Sequence, residues 1–225
     1  MAQAHAGETR SGSRRPQPFA IRFAHWVAIP LLVIMAGSGL QILTAYPMLG
    51  PSGDLYGWYP LRGVSPPGWL RFGGWLAGAR HWHFALAWFL VANGAMYLVY
   101  LAVRGEWRRR LFLPGRDTTN AALMMAYYLR IRKTPPAVEF YNGLQRLAYT
   151  SAVGLGLVEV LSGLAIYKPV QLHWLAALFG GYDGARAVHL LGLVGLGLFA
   201  VTHIALVALH PRALVDMITG GRRAE

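Results

Sequence analysis

Four stretches of this chain run for twenty residues or more with almost no charge, and that feature governs everything else about it. A helix needs about 20 mostly apolar residues to cross the hydrocarbon core of a bilayer. The runs cover about 19–45, 82–103, 141–167 and 184–209. The first is too long for the core of a signal peptide, about 7–15 residues, and no small-residue cleavage site follows it, so it reads as a retained span. Only helices and closed barrels satisfy their backbone groups in lipid. The expected fold is therefore all-α, an integral membrane four-helix bundle. The span domain runs over 19–220, after a polar, Arg/Pro-rich and disordered segment at 1–18 and before a short tail at 221–225.

The 225 residues are 55% hydrophobic and 13% charged, about half the charge of a soluble domain. The net charge of +12 would suit nucleic acid in a soluble chain. Here its distribution points elsewhere. Sixteen of the 21 Lys and Arg fall in the N-terminal segment through Arg22, in 104–146 and in the C-terminal tail; five fall in the other two loops. Basic residues accumulate on the cytoplasmic side of membrane proteins. Both termini and the 104–140 loop are thus expected in the cytoplasm, with membrane lipid rather than nucleic acid as the neighbour. The loop at 46–80, with Tyr56, Trp58, Tyr59, Trp69 and Trp75, and the shorter loop at 168–183 are expected outside. The segment 119–131 is a helix either lying on the membrane surface or sitting in a plain cytoplasmic loop; composition does not choose.

The chain has no cysteine, which excludes disulfides, thiolate-held iron–sulfur clusters and covalently attached c-type haem. Its eight histidines carry more information. His5 lies in the N-terminal segment, His173 in an outer loop and His210 at the inner end of the fourth run; His25, His81, His83, His189 and His203 lie in or at the ends of spans. An ionisable residue inside a membrane is costly and points first to function, although a lone histidine can equally bond to a neighbouring helix. His189 and His203 are 14 residues apart, about 21 Å of rise and about 40° short of four turns, so they share a face at two depths. Pairing by depth puts His25 with His203 on the inner side and His83 with His189 on the outer side. Two imidazole pairs at two depths suit two b haems held between helices. Zinc or di-iron sites would want carboxylate or thiolate partners, and Glu159 is the acid that lies well inside a span. His81 is the rival of His83, but it faces another direction and lacks the sequence context described next.

Three stretches, "RFAHW", "RHWHF" and "RAVHL", place an arginine three residues before a histidine: Arg22 before His25, Arg80 before His83 and Arg186 before His189. Residues three apart lie on nearly one helix face, a turn away. Each arginine stands on the membrane-surface side of its histidine, where a haem propionate would meet it. For Arg22 the positive-inside bias is explanation enough; Arg80 and Arg186 stand on the arginine-poor outer side and are the better propionate partners. His203 has Ala200 in the corresponding place.

These pieces, with "RHWHFALAWFLVANGAMYLVY", "YNGLQRLAY", "RAVHLLGL", "THIALVALH" and "MITG", resemble the bacterial four-span di-haem cytochrome b family. That family includes the cytochrome b subunits of hydrogenase, formate dehydrogenase and thiosulfate reductase and the small b561-type cytochromes. The likeness is strongest to the membrane partners of sulfite-oxidase-like molybdoenzymes. The resemblance implies a bacterial inner-membrane protein whose two haem irons are held by His25 with His203 and by His83 with His189. It implies electron transfer between a periplasmic redox enzyme, of the molybdopterin class, and the quinone pool. It places the quinone near the inner haem, at Asn142 with Gln145 close by, although Leu144 stands where some relatives have glycine. Asn142 also suits the N-cap of the third span. The aromatic loop at 46–80 is the expected docking surface. The alternative is a stand-alone b561-type protein that passes electrons from superoxide to quinone.

Overall fold

The structure is a computed structural model that describes residues 17–59, 62–137, 141–209 and 211–221. The disordered segment expected at 1–18 therefore lies, but for its last two residues, outside the described residues, as do His5, His210 and the tail from 222 onward.

Among the described residues the regular structure is entirely helical. Four long helices carry the apolar runs: α1 (Phe19–Ala45), α2 (Leu76–Val103), α5 (Gly143–Tyr167) and α7 (Gly181–Leu209). Short helices fill the connections: α3 (Trp107–Arg110), α4 (Pro114–Tyr128), α6 (His173–Leu178) and α8 (Pro211–Thr219). The four long ones are long and apolar enough to cross a bilayer, and hardly any of their surface is buried inside the protein. Trp88, Phe89, Leu198, Val201 and Ile204 all point outward. A helix that is apolar all round belongs in lipid. Pro30 inside α1 is tolerable there because neighbouring helices and local adjustment satisfy the carbonyl it frees.

α2 begins six residues ahead of the apolar run, so Arg80, His81 and His83 lie in its second and third turns rather than at its start. The sequence "LAGAR" has little hydropathy but no barrier to helix beyond one glycine, and the helix projects past the apolar boundary. The segment between α2 and α5, expected to hold one helix at 119–131, holds α4, displaced toward the N-terminus and started by Pro114 at its first turn.

Close backbone packing runs within two antiparallel pairs, α1 with α2 and α5 with α7; these hairpins stand apart from each other, with side chains crossing the interval between them. The ends are tied down. The loop between α1 and α2 folds back on the bundle, where the Phe72 N–H donates to the Gly37 carbonyl at 3.0 Å, and Leu49 and Tyr59 are buried against Ala187 of α7. On the other side α4 is fastened to α5 by a buried ion pair, Asp117 with Arg146 at 2.9 Å.

Candidate functional site

The interval between the two hairpins is bridged by histidines. The rings of His25 on α1 and His203 on α7 have centroids 6.2 Å apart, and those of His83 on α2 and His189 on α7 are also 6.2 Å apart. A metal–imidazole bond is about 2 Å, and a ring nitrogen sits about 1.1 Å from its centroid, so two imidazoles trans on one metal have centroids about 6.3 Å apart. Both pairs stand at that separation, at two levels of the bundle. No cluster of three or more His, Cys, Asp or Glu is found among the described residues. Each pair thus offers two imidazoles facing each other as metal donors, which fits a bis-histidine haem better than the larger donor sets of zinc or di-iron.

The His83–His189 pair is built by a device used twice. Ser38 of α1 donates its hydroxyl to the Ile34 carbonyl at 2.7 Å, and its oxygen lies 3.0 Å from Nδ1 of His83. Ser162 of α5 donates to the Val158 carbonyl at 2.7 Å, and its oxygen lies 3.0 Å from Nδ1 of His189. With each hydroxyl proton directed to backbone, an Nδ1–H tautomer suits both histidines: at His83 the serine oxygen accepts from it, and at His189 the Ser162 oxygen shares it with Glu159. That choice fixes the tautomer and leaves the Nε2 lone pair for a metal. The residue after each serine is glycine. A Cβ at Gly39 would come within 3.3 Å of His83 Cε1, and one at Gly163 within 3.3 Å of His189 Cε1. Glycine lets the imidazole lie against the helix backbone. Glu159, one turn before Ser162, places Oε2 2.8 Å from His189 Nδ1.

The His25–His203 pair is held otherwise. The His203 ring stacks on Phe199 of its own helix, centroids 5.6 Å apart and planes 13° apart. His25 Nδ1 is buried without a hydrogen-bond partner. Asn93 of α2 clips α2 to α1 by donating Nδ2 to the Ala24 carbonyl at 3.0 Å, and its Oδ1 is likewise buried and unpartnered. His81 is exposed.

The three arginines have distinct surroundings. Arg22 donates Nε to the Met217 carbonyl at 3.1 Å and Nη2 to the Ile218 carbonyl, at the C-terminal end of α8 where a cation is favoured. Arg186 donates to the Met48 and Tyr46 carbonyls at 2.8 and 3.0 Å and lies over the Tyr46 ring, tying the end of α1 to α7. Arg80 is exposed and lies over Phe84, 5.6 Å from the ring centroid. Two of the three are thus cross-links between chain segments, a role the sequence reading did not include.

Asn142 and Gln145 form a reciprocal cap at the start of α5: Asn142 Oδ1 accepts from the Gln145 N–H at 2.8 Å, and Gln145 Oε1 accepts from the Asn142 N–H at 3.1 Å. Asn142 is buried, and the next residue donates its N–H to Asn120 Oδ1 of α4 at 2.8 Å. Beside this cap, Asp117 accepts from Arg116, from the Leu113 N–H and from Arg146, and these partners, Arg116 foremost, hold its carboxyl down at about 2.

The serines at 38 and 162 and the partner of Glu159 were missed by sequence reasoning. The signal was present as a repeat, "SGL" at 38–40 and again at 162–164, inside two different apolar runs.

Comparison with known proteins places the chain in a family. The family model described as prokaryotic cytochrome b561 matches residues 16–220. A curated protein of Azospira oryzae, named "Putative protein-methionine-sulfoxide reductase subunit YedZ1", is 37% identical over 200 residues, which cover 89% of this chain and 93% of that protein. No solved structure gives a significant match.

Proposed function

The chain belongs to the prokaryotic cytochrome b561 family, and from that premise we propose that this multi-pass bacterial membrane protein carries two b haems and links a periplasmic redox enzyme to the quinone pool. As a family member it is a membrane haem b electron-transfer subunit; the count of haems, the quinone and the partner are the proposal. The observation that carries it is the pair of equal imidazole separations, 6.2 Å at each of two depths, in a chain with no thiol and no other metal-ligating cluster among the described residues.

Haem b supplies a one-electron iron couple within the membrane. In this reading His83 and His189 hold the outer iron and His25 and His203 the inner iron, and the two ligands on α7 set the spacing of the two levels. Ser38 and Ser162 orient the outer ligands; Arg80 and Arg186 stand on the outer side, where propionates would meet them, and Arg22 on the inner side. Asn142 and Gln145, at the cytoplasmic end of α5, are the proposed quinone contacts. The basic N-terminal, 104–146 and C-terminal segments support a cytoplasmic placement of both ends. The outer loop, with Trp58, Trp69 and Trp75 exposed, is the proposed docking surface. A partner of the molybdopterin class follows from the resemblance in "WHFALAW" and "NGLQRLAY", and the name of the Azospira relative points to a reductase assembly.

The test is direct. The purified protein is expected to show a b-type absorbance spectrum with two haems per chain by the pyridine haemochrome method, and a periplasmic oxidoreductase is expected to co-purify. A colourless protein, or one with a single haem, would overturn the two-haem reading.

A further inference from the structure

The two halves of the outer site share one frame and differ at one level. In α1 the sequence reads Met35, Ser38, Gly39; in α5 the same spacing reads Glu159, Ser162, Gly163. Each serine meets Nδ1 of a histidine on the partner helix at 3.0 Å. Three residues beyond those histidines stand Leu86 on α2 and Gly192 on α7. An apolar pair in one half is therefore replaced by a carboxylate facing a glycine in the other. A Cβ at position 192 would run into Glu159 Oε1 and come within 3.1 Å of its Cδ. Glycine at 192 thus makes the seat in which the carboxylate reaches His189, with Oε2 2.8 Å from Nδ1. The remaining oxygen, Oε1, is buried without a hydrogen-bond partner. A carboxylate is expensive inside a membrane, and one whose hydrogen-bonded contact among the described residues is an imidazole is placed for that imidazole.

We infer that Glu159 is a positioning residue that makes the outer haem's two ligands unequal and lowers that haem's midpoint potential relative to a serine-only site. The inference rests on the two-haem reading above. Its chemistry is that of a carboxylate behind a metal-bound histidine. Accepting from Nδ1–H, it raises the electron donation of Nε2 and favours the higher oxidation state of the metal. His83 has the Ser38 hydroxyl and, among the described residues, no carboxylate; His189 has both. Electron transfer through the outer level would then be tuned from α5, a helix that supplies no iron ligand.

The experiment is a spectroelectrochemical titration of the purified full-length holoprotein beside Glu159→Gln and Gly192→Ala. Glu159→Gln keeps the size and removes the negative charge. One reduction step is expected to shift upward by about 59 mV, a tenfold change for a one-electron couple, while the other stays within error and both haems stay low-spin by electron paramagnetic resonance. Gly192→Ala keeps Glu159 but occupies its seat, and is expected to shift the same step in the same direction. With both haems bound, no shift in either variant, or an equal shift of both steps, would overturn the inference. Should Glu159→Gln lose the outer haem, Gly192→Ala decides alone: an upward shift of one step supports the inference, and none overturns it. A wild-type protein without two haems would instead overturn the reading on which it stands, so the two failures are distinguishable.

Discussion

Ser38 and Ser162 occupy equivalent places on opposite hairpins, each with its oxygen 3.0 Å from Nδ1 of a histidine presented by the neighbouring helix. Neither serine would touch a metal. Residues that orient a metal-bound histidine from behind typically contribute 10–100-fold to affinity. Ser38→Ala is expected to weaken outer-haem retention by about tenfold. Ser162→Ala is expected to weaken it less, because Glu159 still holds Nδ1 of His189. The rate of haem transfer to an excess of apomyoglobin measures both, and equal rates in the two variants would contradict the asymmetry.

His83→Leu and His189→Leu are each expected to halve the haem content and leave the spectrum of the inner site. His25→Leu is expected to do the converse. The pyridine haemochrome ratio and the low-temperature α-band, resolved into its components, follow both. Retention of both haems in His83→Leu would shift attention to His81.

Gly39→Val tests the close approach of ring to backbone. A Cβ there would already stand 3.3 Å from His83 Cε1, and the branched side chain would push the imidazole off its place. Loss of the outer haem is expected with the helix content unchanged by circular dichroism. Full haem content would show that the imidazole has another seat.

The Asp117–Arg146 pair joins α4 to the first turn of α5 and is buried on both sides, with 5% and 6% of the side chains exposed. Removing one partner of such a pair costs about 3–5 kcal/mol, because the other charge is left buried. Asp117→Asn is expected to loosen α4 from α5 and to lower the thermal midpoint in detergent. The wild-type pH dependence has a definite sign. The carboxyl, held at about 2 in the fold, titrates near 4 in an unfolded chain. Its contribution is therefore complete above about pH 4 and disappears as the pH falls toward 2. Thermal unfolding between pH 7 and 2.5 should show an acid loss in the wild type that is reduced in Asp117→Asn.

The absence of native cysteine makes the membrane orientation simple to test. Ser65→Cys in the aromatic loop and Thr134→Cys in the basic loop both lie at exposed positions. An impermeant maleimide applied to spheroplasts is expected to label the first and not the second. Labelling of Thr134→Cys alone would invert the orientation.

The four membrane helices were legible because a run of twenty apolar residues has few other fates. The pairing of His25 with His203 and of His83 with His189 was legible as depth, since helical rise converts sequence number into height. What stayed hidden was lateral. A serine in an apolar helix reads the same whether it merely eases packing or turns toward a ring, and Ser162 meets a residue 27 positions away on another helix. Glu159 was visible as costly but its partner was not. Arg22 illustrates the same limit. The repeated spacing points to a propionate, and it gives no hint of the contacts 195 and 196 residues downstream, at carbonyls that carry no side-chain signature. The early start of α2 was missed because hydropathy marks the lipid boundary, and a helix is free to continue beyond it.

The clasp between Arg22 and the end of α8 bears on how the protein is made. Ribosomes deliver α1 well before α7 and α8, so the contact between Arg22 and the carbonyls of Met217 and Ile218 forms only after α8 has followed α7. Until then α1 and α2 wait as a half-bundle whose histidines have no opposite number, because both of their counterparts ride on α7. Both histidine pairs are thereby completed by one late helix, α7, and the contact of Arg22 with α8 joins the first helix to the segment that follows it.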